Sequence, residues 1–244
     1  MENKAFSPRF LFLSARKELA HLYDEREIDQ ILFLLLEHLK GWNKISLHAK
    51  LEENLPIDDC VKLSSWLEQL QTGMPVQYII GKVDFAGVKI GVNPSVLIPR
   101  PETGELVEFI INDQIQKLYT RFTLLDLCTG SGSIPIALAK KFPGLIASGI
   151  DISAGALATA RENADLNSVH VEFQQSDILD RSRWAQFPMY DIIVSNPPYV
   201  PEKEKEIMQQ NVLRHEPWEA LFVPDEDPLV FYREISAFSF LHLN

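Results

Sequence analysis

The sequence is poor in cysteine, and its two cysteines are badly placed for a disulfide. Cys60 follows a pair of aspartates and Cys128 sits inside a glycine turn. Reduced thiols, as in the cytosol, are the simpler reading. There is no HExxH, no CxxC and no clustered His/Asp set, so no metal is expected. His21, His38 and His48 stand apart from any ligand-spaced partners and read as ordinary surface or boundary residues. A membrane-length apolar run is also missing. The run from Ile31 to Leu39 contains Glu37 and His38 and is too short to span a bilayer. The opening residues do not read as a secretory signal, because Glu2 precedes Phe6 and Pro8 interrupts the apolar stretch. A cytoplasmic protein without membrane partners is expected. Basic charge is scarce: 23 Lys and Arg against 34 Asp and Glu give a formal net charge of −11. Free duplex DNA would meet long-range repulsion, which disfavours stable nucleic-acid binding, although a local basic patch would override the average.

A chain of 244 residues with 46% hydrophobic content is long enough for a sizeable core and two domains. Helical spacing of apolar residues predicts helices over Phe10–Ala20, Glu27–Leu39, Ile45–Lys50 and Pro56–Gln71, a small all-helical domain over residues 1–72. Its reading is either padding for the rest of the chain or docking of a protein partner. From Gln77 to Ile98 the pattern changes to alternating β-branched and aromatic residues with glycines. That predicts a β-hairpin turning at Ala86-Gly87, a linker over residues 73–98. A helix is expected near Gly104–Ile115, and the remainder, residues 99–244, forms one α/β domain.

That domain is organised around LLDLCTGSGSIPIALAK, from Leu124 to Lys140. A short apolar strand ends in a Gly130-Ser131-Gly132 turn, and apolar residues then recur at helical spacing. Glycines at such a turn allow positive φ and close approach of a ligand to the helix N-terminus. Pro135 stands where a dinucleotide fingerprint would place its third glycine. This departure favours a nucleoside ligand without a pyrophosphate. The next predicted strand, Leu145–Ile150, ends on Asp151-Ile152, and a third, Val169–Gln175, ends on Ser176-Asp177-Ile178. Three acids, Asp126, Asp151 and Asp177, thus fall at strand ends. Any one of them alone is equally well a turn residue or a helix cap; together after a glycine turn they read as a ligand site. Ser131 and Ser133 lack a neighbouring His/Asp arrangement and read as turn residues rather than nucleophiles.

A fourth strand, Asp191–Val194, stops at Ser195-Asn196-Pro197-Pro198-Tyr199. Adjacent prolines cannot continue a central strand and force a rigid extended turn. Asn196 and the nearby carbonyls are then fixed acceptors for an NH2 group, with Tyr199 as a flat wall beside it. The bland alternative is an Asn-Pro turn at a strand end.

Together, DLCTGSGSIPIALA, the acid after the second strand, SDI and NPPY resemble the Rossmann-type S-adenosylmethionine-dependent methyltransferases. Within these the chain resembles the HemK/PrmC family of peptide chain release factor N5-glutamine methyltransferases. The stretch Gly73–Thr103 and NVLRHEPWEALF after NPPYV carry the likeness beyond the shared motifs. The resemblance implies an α/β Rossmann-type sheet with helices on both faces, S-adenosyl-L-methionine as cofactor, a release factor as protein partner, and a monomer. It implies that Asp126, Gly130 and Gly132 hold the methionine moiety, Asp151 and Ile152 the ribose side, and Asp177 and Ile178 the adenine. Asn196 adjoins both ligands. Asn196, Pro197, Pro198 and Tyr199 would hold the substrate glutamine, with Arg100 and Glu102 near the mouth; an ion pair or a helix cap is the other reading of Arg100 and Glu102. Cys128 occupies a position where the family usually has glycine. Catalysis is expected to rest on Asn196, Pro197 and Tyr199 as positioning groups, without a general base. The family's sheet has seven strands, and strands five to seven are not visible after the predicted helix Leu229–Ile235. A shortened sheet, or an edge improvised by the last residues, is expected. A DNA adenine-N6 methyltransferase is the alternative activity, since a flipped adenine also offers an NH2 to Asn196 and Tyr199. A non-catalytic binding protein is the third.

Overall fold

A computed structural model describes residues 5–114, 121–208 and 210–244. The chain divides into two units, Met1–Ile80 with Gln210–His215, and Gly81–Gln209 with Glu216–Asn244.

The first unit is helical: α1 (Pro8–Leu19), α2 (Glu25–Lys40), α3 (Lys44–Ala49), α4 (Ile57–Gln71) and α5 (Val76–Ile80). Caps explain why α1 and α2 start earlier than apolar spacing suggests. Ser7 accepts from the Phe10 N–H, and Asp24 accepts from the Glu27 N–H. Gly41, at φ 67°, ends α2 in the left-handed conformation that glycine adopts most cheaply. Leu11, Leu19, Ile28, Leu32, Leu35, Leu36, Leu63, Leu67 and Leu70 make the core, and Cys60 is buried with them.

The second unit opens with an antiparallel hairpin, β1 (Lys82–Phe85) and β2 (Val88–Gly91), turning at Ala86 and Gly87, both at positive φ. Then come α6 (Pro101–Phe109), a wider helical turn over Ile110–Gln114, β3 (Phe122–Leu127), α7 (Ser133–Lys141), β4 (Leu145–Asp151), α8 (Ala154–Asn167), β5 (Val171–Gln175) and β6 (Ile192–Ser195). Ile115, the expected end of the helix, lies outside the described residues. The strand expected from Val169 begins at Val171, because the Val169 N–H still bonds back to the Ala164 carbonyl at the end of α8. The four strands are parallel in the order β5-β4-β3-β6. Two further short strands, β7 (Val200–Pro201) and β8 (Phe222–Val223), pair in parallel. The final helix, α10 (Val230–His242), follows the first unit's short α9 (Gln210–His215) in sequence and is longer than the expected Leu229–Ile235 segment. Alternation along β3 sends Leu125 and Leu127 into a cluster with Trp184, Phe187 and Phe238 of α10. At the end of the chain Leu243 forms a parallel bridge with Tyr190, beside the start of β6.

One side-chain ladder fixes the hairpin on α8. Asn163 accepts from the Gly91 N–H at 2.6 Å and donates to the Gly91 carbonyl at 3.0 Å and to the Ser131 carbonyl at 2.9 Å. Asn167 repeats the pattern on Lys89, and Thr159 accepts from Asn93. Asn163→Ala strands three backbone groups, at a cost of about 3 kcal/mol. Asn167→Ala, at the wetter end of the ladder, is expected to cost about 1 kcal/mol. Urea denaturation of the two variants measures this; equal losses would show that the buried amide carries no special weight.

Candidate active site

The turn after β3 uses three left-handed residues, Cys128 at φ 58°, Gly130 at φ 55° and Gly132 at φ 75°. The two glycines serve different ends. A Cβ on Gly130 would meet open space, and Gly130 lines a cavity. A Cβ on Gly132 would lie 3.0 Å from Ile136 and Phe173 and 3.1 Å from Ala160. Gly132 therefore allows the close approach of α7 and α8 to the sheet, the packing task that the missing third glycine performs in a dinucleotide site. It does not line the cavity. Pro135 is buried in the first turn of α7, where its missing N–H costs nothing. Cys128 lacks the freedom of glycine, and the left-handed conformation costs it about 1–2 kcal/mol. Burial, with Asp151, Asp126 and Asp177 nearby, pushes its thiol well above the ordinary range, so it is a neutral thiol on the cavity wall.

The cavity, about 650 Å³, opens at the carboxyl ends of the parallel strands. That is the edge where open α/β sheets bind ligands, and the size suits a small molecule. Asp151, Ile152, Asp177, Ile178, Asn196 and Pro198 all line it. Asp151 Oδ2 accepts from the Gly130 N–H at 2.8 Å and Oδ1 from the Ser153 N–H at 2.9 Å. Burial raises the Asp151 pKa, and these backbone N–H groups oppose the rise. Asp177 Oδ1 accepts from the Leu179 N–H at 2.8 Å. Ile178 is buried, whereas Ile152 is 56% exposed at the rim.

Asp126 is placed differently from the other two acids. It lies under the turn, 1% exposed, and does not line the cavity. Oδ2 accepts from the Thr129 hydroxyl at 2.6 Å, while Oδ1 is buried without a partner. Desolvation pushes this carboxyl up to about 8, against the Thr129 hydrogen bond and with a small addition from Asp151.

A second cavity, about 180 Å³, is lined by Arg100, Glu102, Thr103, Asn196, Pro197 and Tyr199 among others. Asn196, Thr103 and Arg100 belong to the walls of both cavities. The adjacent prolines divide between them, Pro197 facing the smaller and Pro198 the larger. Both prolines are buried, and Tyr199 is 54% exposed. The loop is anchored before and after: Ser195 Oγ donates to the Leu127 carbonyl at 2.6 Å, and Val200 pairs with Phe222. Asn196 Nδ2 donates to Thr103 Oγ1 at 3.1 Å. Arg100 is in an ion pair with buried Glu216 at 2.7 Å, and Glu216 also accepts from the Ile98 N–H.

Thr129, Thr103 and Glu216 escape a reading by spacing, since each acts on a residue distant in sequence or hidden under the turn. Glu219 escapes it too: an exposed acid after Trp218, it reaches the larger cavity. Among the described residues no group of His, Cys, Asp and Glu is arranged to hold a metal ion.

Residues 109–221 match the family described as Methyltransferase small domain, and residues 11–81 match the PrmC N-terminal domain. The chain is similar to the release factor glutamine methyltransferase of Flavobacterium psychrophilum, with 43% identity over 89% of this chain and 76% of that protein. The protein of the same description from Bacteroides thetaiotaomicron is 41% identical over 91% of this chain and 78% of its own length. That from Streptococcus pneumoniae is 38% identical over 93% and 77%. The chain thus spans about three-quarters of the length of these relatives.

The buried carboxyl of Asp126 gives the fold a pH dependence of definite sign. Its folded pKa lies near 8 and its ordinary value near 3.8, so between those limits the folded state holds a proton that the unfolded chain has lost. Stability is fully supported below the lower limit and falls as pH rises towards the upper, by up to about 1.4 kcal/mol per pH unit. Asp126→Asn removes this contribution and should gain on the wild type between pH 5 and pH 8. Urea denaturation of both proteins at the two pH values reads the difference, which includes the small coupling between Asp126 and Asp151. A constant gap would mean that Asp126 keeps one charge state across the window.

Proposed function

The chain belongs to the family of release factor glutamine methyltransferases, and we infer that it methylates the side-chain amide nitrogen, N5, of a glutamine in a peptide chain release factor. The observation that carries the reading is Asn196 on the wall shared by a cofactor-sized cavity and a smaller one.

The larger cavity suits S-adenosyl-L-methionine by the chemistry of its wall. Asp151 and Asp177 offer acceptors at the strand ends, and the only arginine among the lining residues, Arg100, is already paired with Glu216. A pyrophosphate would find carboxylates where it needs cations, whereas ribose hydroxyls and a cationic ligand find acceptors. Each carboxylate oxygen of Asp151 accepts one backbone N–H and keeps capacity for a hydroxyl. Ile178, Leu179 and Phe231 supply apolar surface for a base. We place the ribose at Asp151 and Ile152, the adenine at Asp177 and Ile178, and the methionine end at Gly130. Asp126 and Gly132 shape that end from beneath.

When bound, the cofactor supplies a methyl group on a sulfonium sulfur. The protein's task is to present an amide nitrogen whose lone pair is delocalised into its carbonyl. Asn196 Oδ1 and the Pro197 carbonyl accept the two N–H groups, turn the nitrogen towards the larger cavity and favour the positive charge that develops on it. Tyr199, with Pro197, supports the flat amide in the smaller cavity. The rigid prolines keep the acceptors in place before the substrate arrives. On the protein's side the two acceptors would hold the nitrogen while its positive charge develops, and the methylated amide would then lose its extra proton to solvent. Arg100, held by Glu216, shapes the wall between the cavities, and Glu102 stands at the outer side. The helical unit is assigned to docking the protein substrate. No helix among the described residues is long and apolar enough to cross a membrane. We assign the protein to the cytoplasm, a reading supported by its having only two cysteines, set in separate stretches of the chain.

Asn196→Ala is expected to lower methyl transfer to purified release factor by about 10²-fold or more while S-adenosyl-L-methionine affinity changes little. Asp151→Ala should weaken the cofactor instead. Methyl-labelled cofactor and titration calorimetry separate the two effects, with duplex DNA as a parallel acceptor. Label on adenine rather than on glutamine would replace this reading with the DNA one.

A further inference from the structure

We propose that Thr103 is a positioning residue for methyl transfer, its hydroxyl holding the Asn196 amide so that Oδ1 is the atom offered to the substrate NH2. The proposal rests on the role given to Asn196 above. A side-chain amide has two unlike ends, an oxygen that accepts and a nitrogen that donates two hydrogens. Rotation by half a turn about the last torsion exchanges them, and that torsion is broad and roughly two-fold. An NH2 substrate meets an acceptor in one orientation and a competing donor in the other. The proline-rich loop fixes the backbone at Asn196, but nothing in that loop fixes the amide itself.

Thr103 supplies what the loop lacks. Asn196 Nδ2 donates to its Oγ1 at 3.1 Å, and it is this orientation, in which the hydroxyl accepts rather than donates, that leaves Oδ1 as the acceptor available to a ligand. Thr103 is 7% exposed and borders both cavities, so bulk water is a poor substitute for its hydroxyl. Arg100, the other long polar side chain common to both walls, is committed to Glu216. The position of Thr103 is itself constrained. It lies in the first turn of α6, after Pro101, and its N–H bonds to the Arg100 carbonyl at 3.1 Å. The start of that helix is tied down by Glu216, which grips the Arg100 guanidinium and the Ile98 N–H. A carboxylate beyond the NPPY loop thereby holds the helix turn that orients the amide within it.

Thr103→Val keeps the shape and removes the hydroxyl, whereas Thr103→Ser keeps the hydroxyl. With methyl-labelled cofactor and purified release factor, Thr103→Val should lower kcat about tenfold or more, since small misplacements at a reacting centre are costly. The KM for S-adenosyl-L-methionine should stay within about twofold, and Thr103→Ser should remain within about threefold of wild type. Added to Asn196→Ala, Thr103→Val should cost nothing further, because the group it positions is gone. A second measurement needs no turnover. In protein labelled with 15N-asparagine, the side-chain NH2 signals of Asn196, identified by their loss in Asn196→Ala, should move in Thr103→Val and return in Thr103→Ser. Wild-type kcat in the valine variant, equal impairment in valine and serine variants, or unmoved Asn196 signals would each overturn the proposal. If wild-type protein leaves the release factor unlabelled, the functional reading fails and the proposal falls with it, whereas the NMR result still reports whether Thr103 holds the amide.

Discussion

The catalytic unit depends on one matching of periods, between helix α8 and strand β2. Thr159, Asn163 and Asn167 recur every four residues on the helix, about 6 Å apart. Their partners Asn93, Gly91 and Lys89 recur every two residues along the extended chain, about 6.7 Å apart. The near equality lets short amide side chains take the place of a neighbouring strand and satisfy an edge that would otherwise need one. Asn163 also reaches the Ser131 carbonyl, so the same residue fixes both the hairpin and the glycine turn. A Cβ on Gly91 would come within 2.8 Å of its oxygen, which is why the strand carries glycine at that point.

With the turn fixed, the acids around it diverge in character according to solvent access. Asp151 and Asp177 face the cavity and accept from backbone N–H groups, which at Asp151 oppose the rise that burial causes. Asp126 faces inward beneath the turn, with a single hydroxyl for company. Desolvation dominates there, and the carboxyl is pushed towards the neutral form. The two outer acids are therefore ready acceptors for a polar ligand, while the inner one braces Thr129 and the turn. The two glycines split in the same way, Gly130 facing the cavity and Gly132 admitting the close packing of Ile136, Phe173 and Ala160.

The division into two cavities comes from the NPPY loop and the ion pair behind it. Two prolines in succession hold the backbone extended, with one ring on each side of the partition. Glu216 draws together the α6 entrance and the chain that follows the loop. This pair is only partly dry, since Glu216 is buried whereas the Arg100 side chain remains 35% exposed. It does more to fix geometry than to add stability, because desolvation offsets much of the attraction between buried charges.

Sequence by itself determined the helices of the first unit, the hairpin, the succession of four strands along the chain and the rigid loop at the end of β6. These follow from periodicity, caps, glycine and proline, which act over a few residues. It also placed Asp151, Asp177, Gly130 and Asn196 together, because strand ends in a parallel sheet share one edge. Only the tertiary structure decided that Asp126 is hidden from the cavity, that Gly132 serves packing, and that Arg100 is bound to Glu216. The same holds for the Asn163 ladder and the contact between Thr103 and Asn196. Each depends on which side chain a distant segment brings near, and on how much water remains there. Neither is set by local spacing, since hydrogen bonds and desolvation act across three-dimensional distance rather than along the chain.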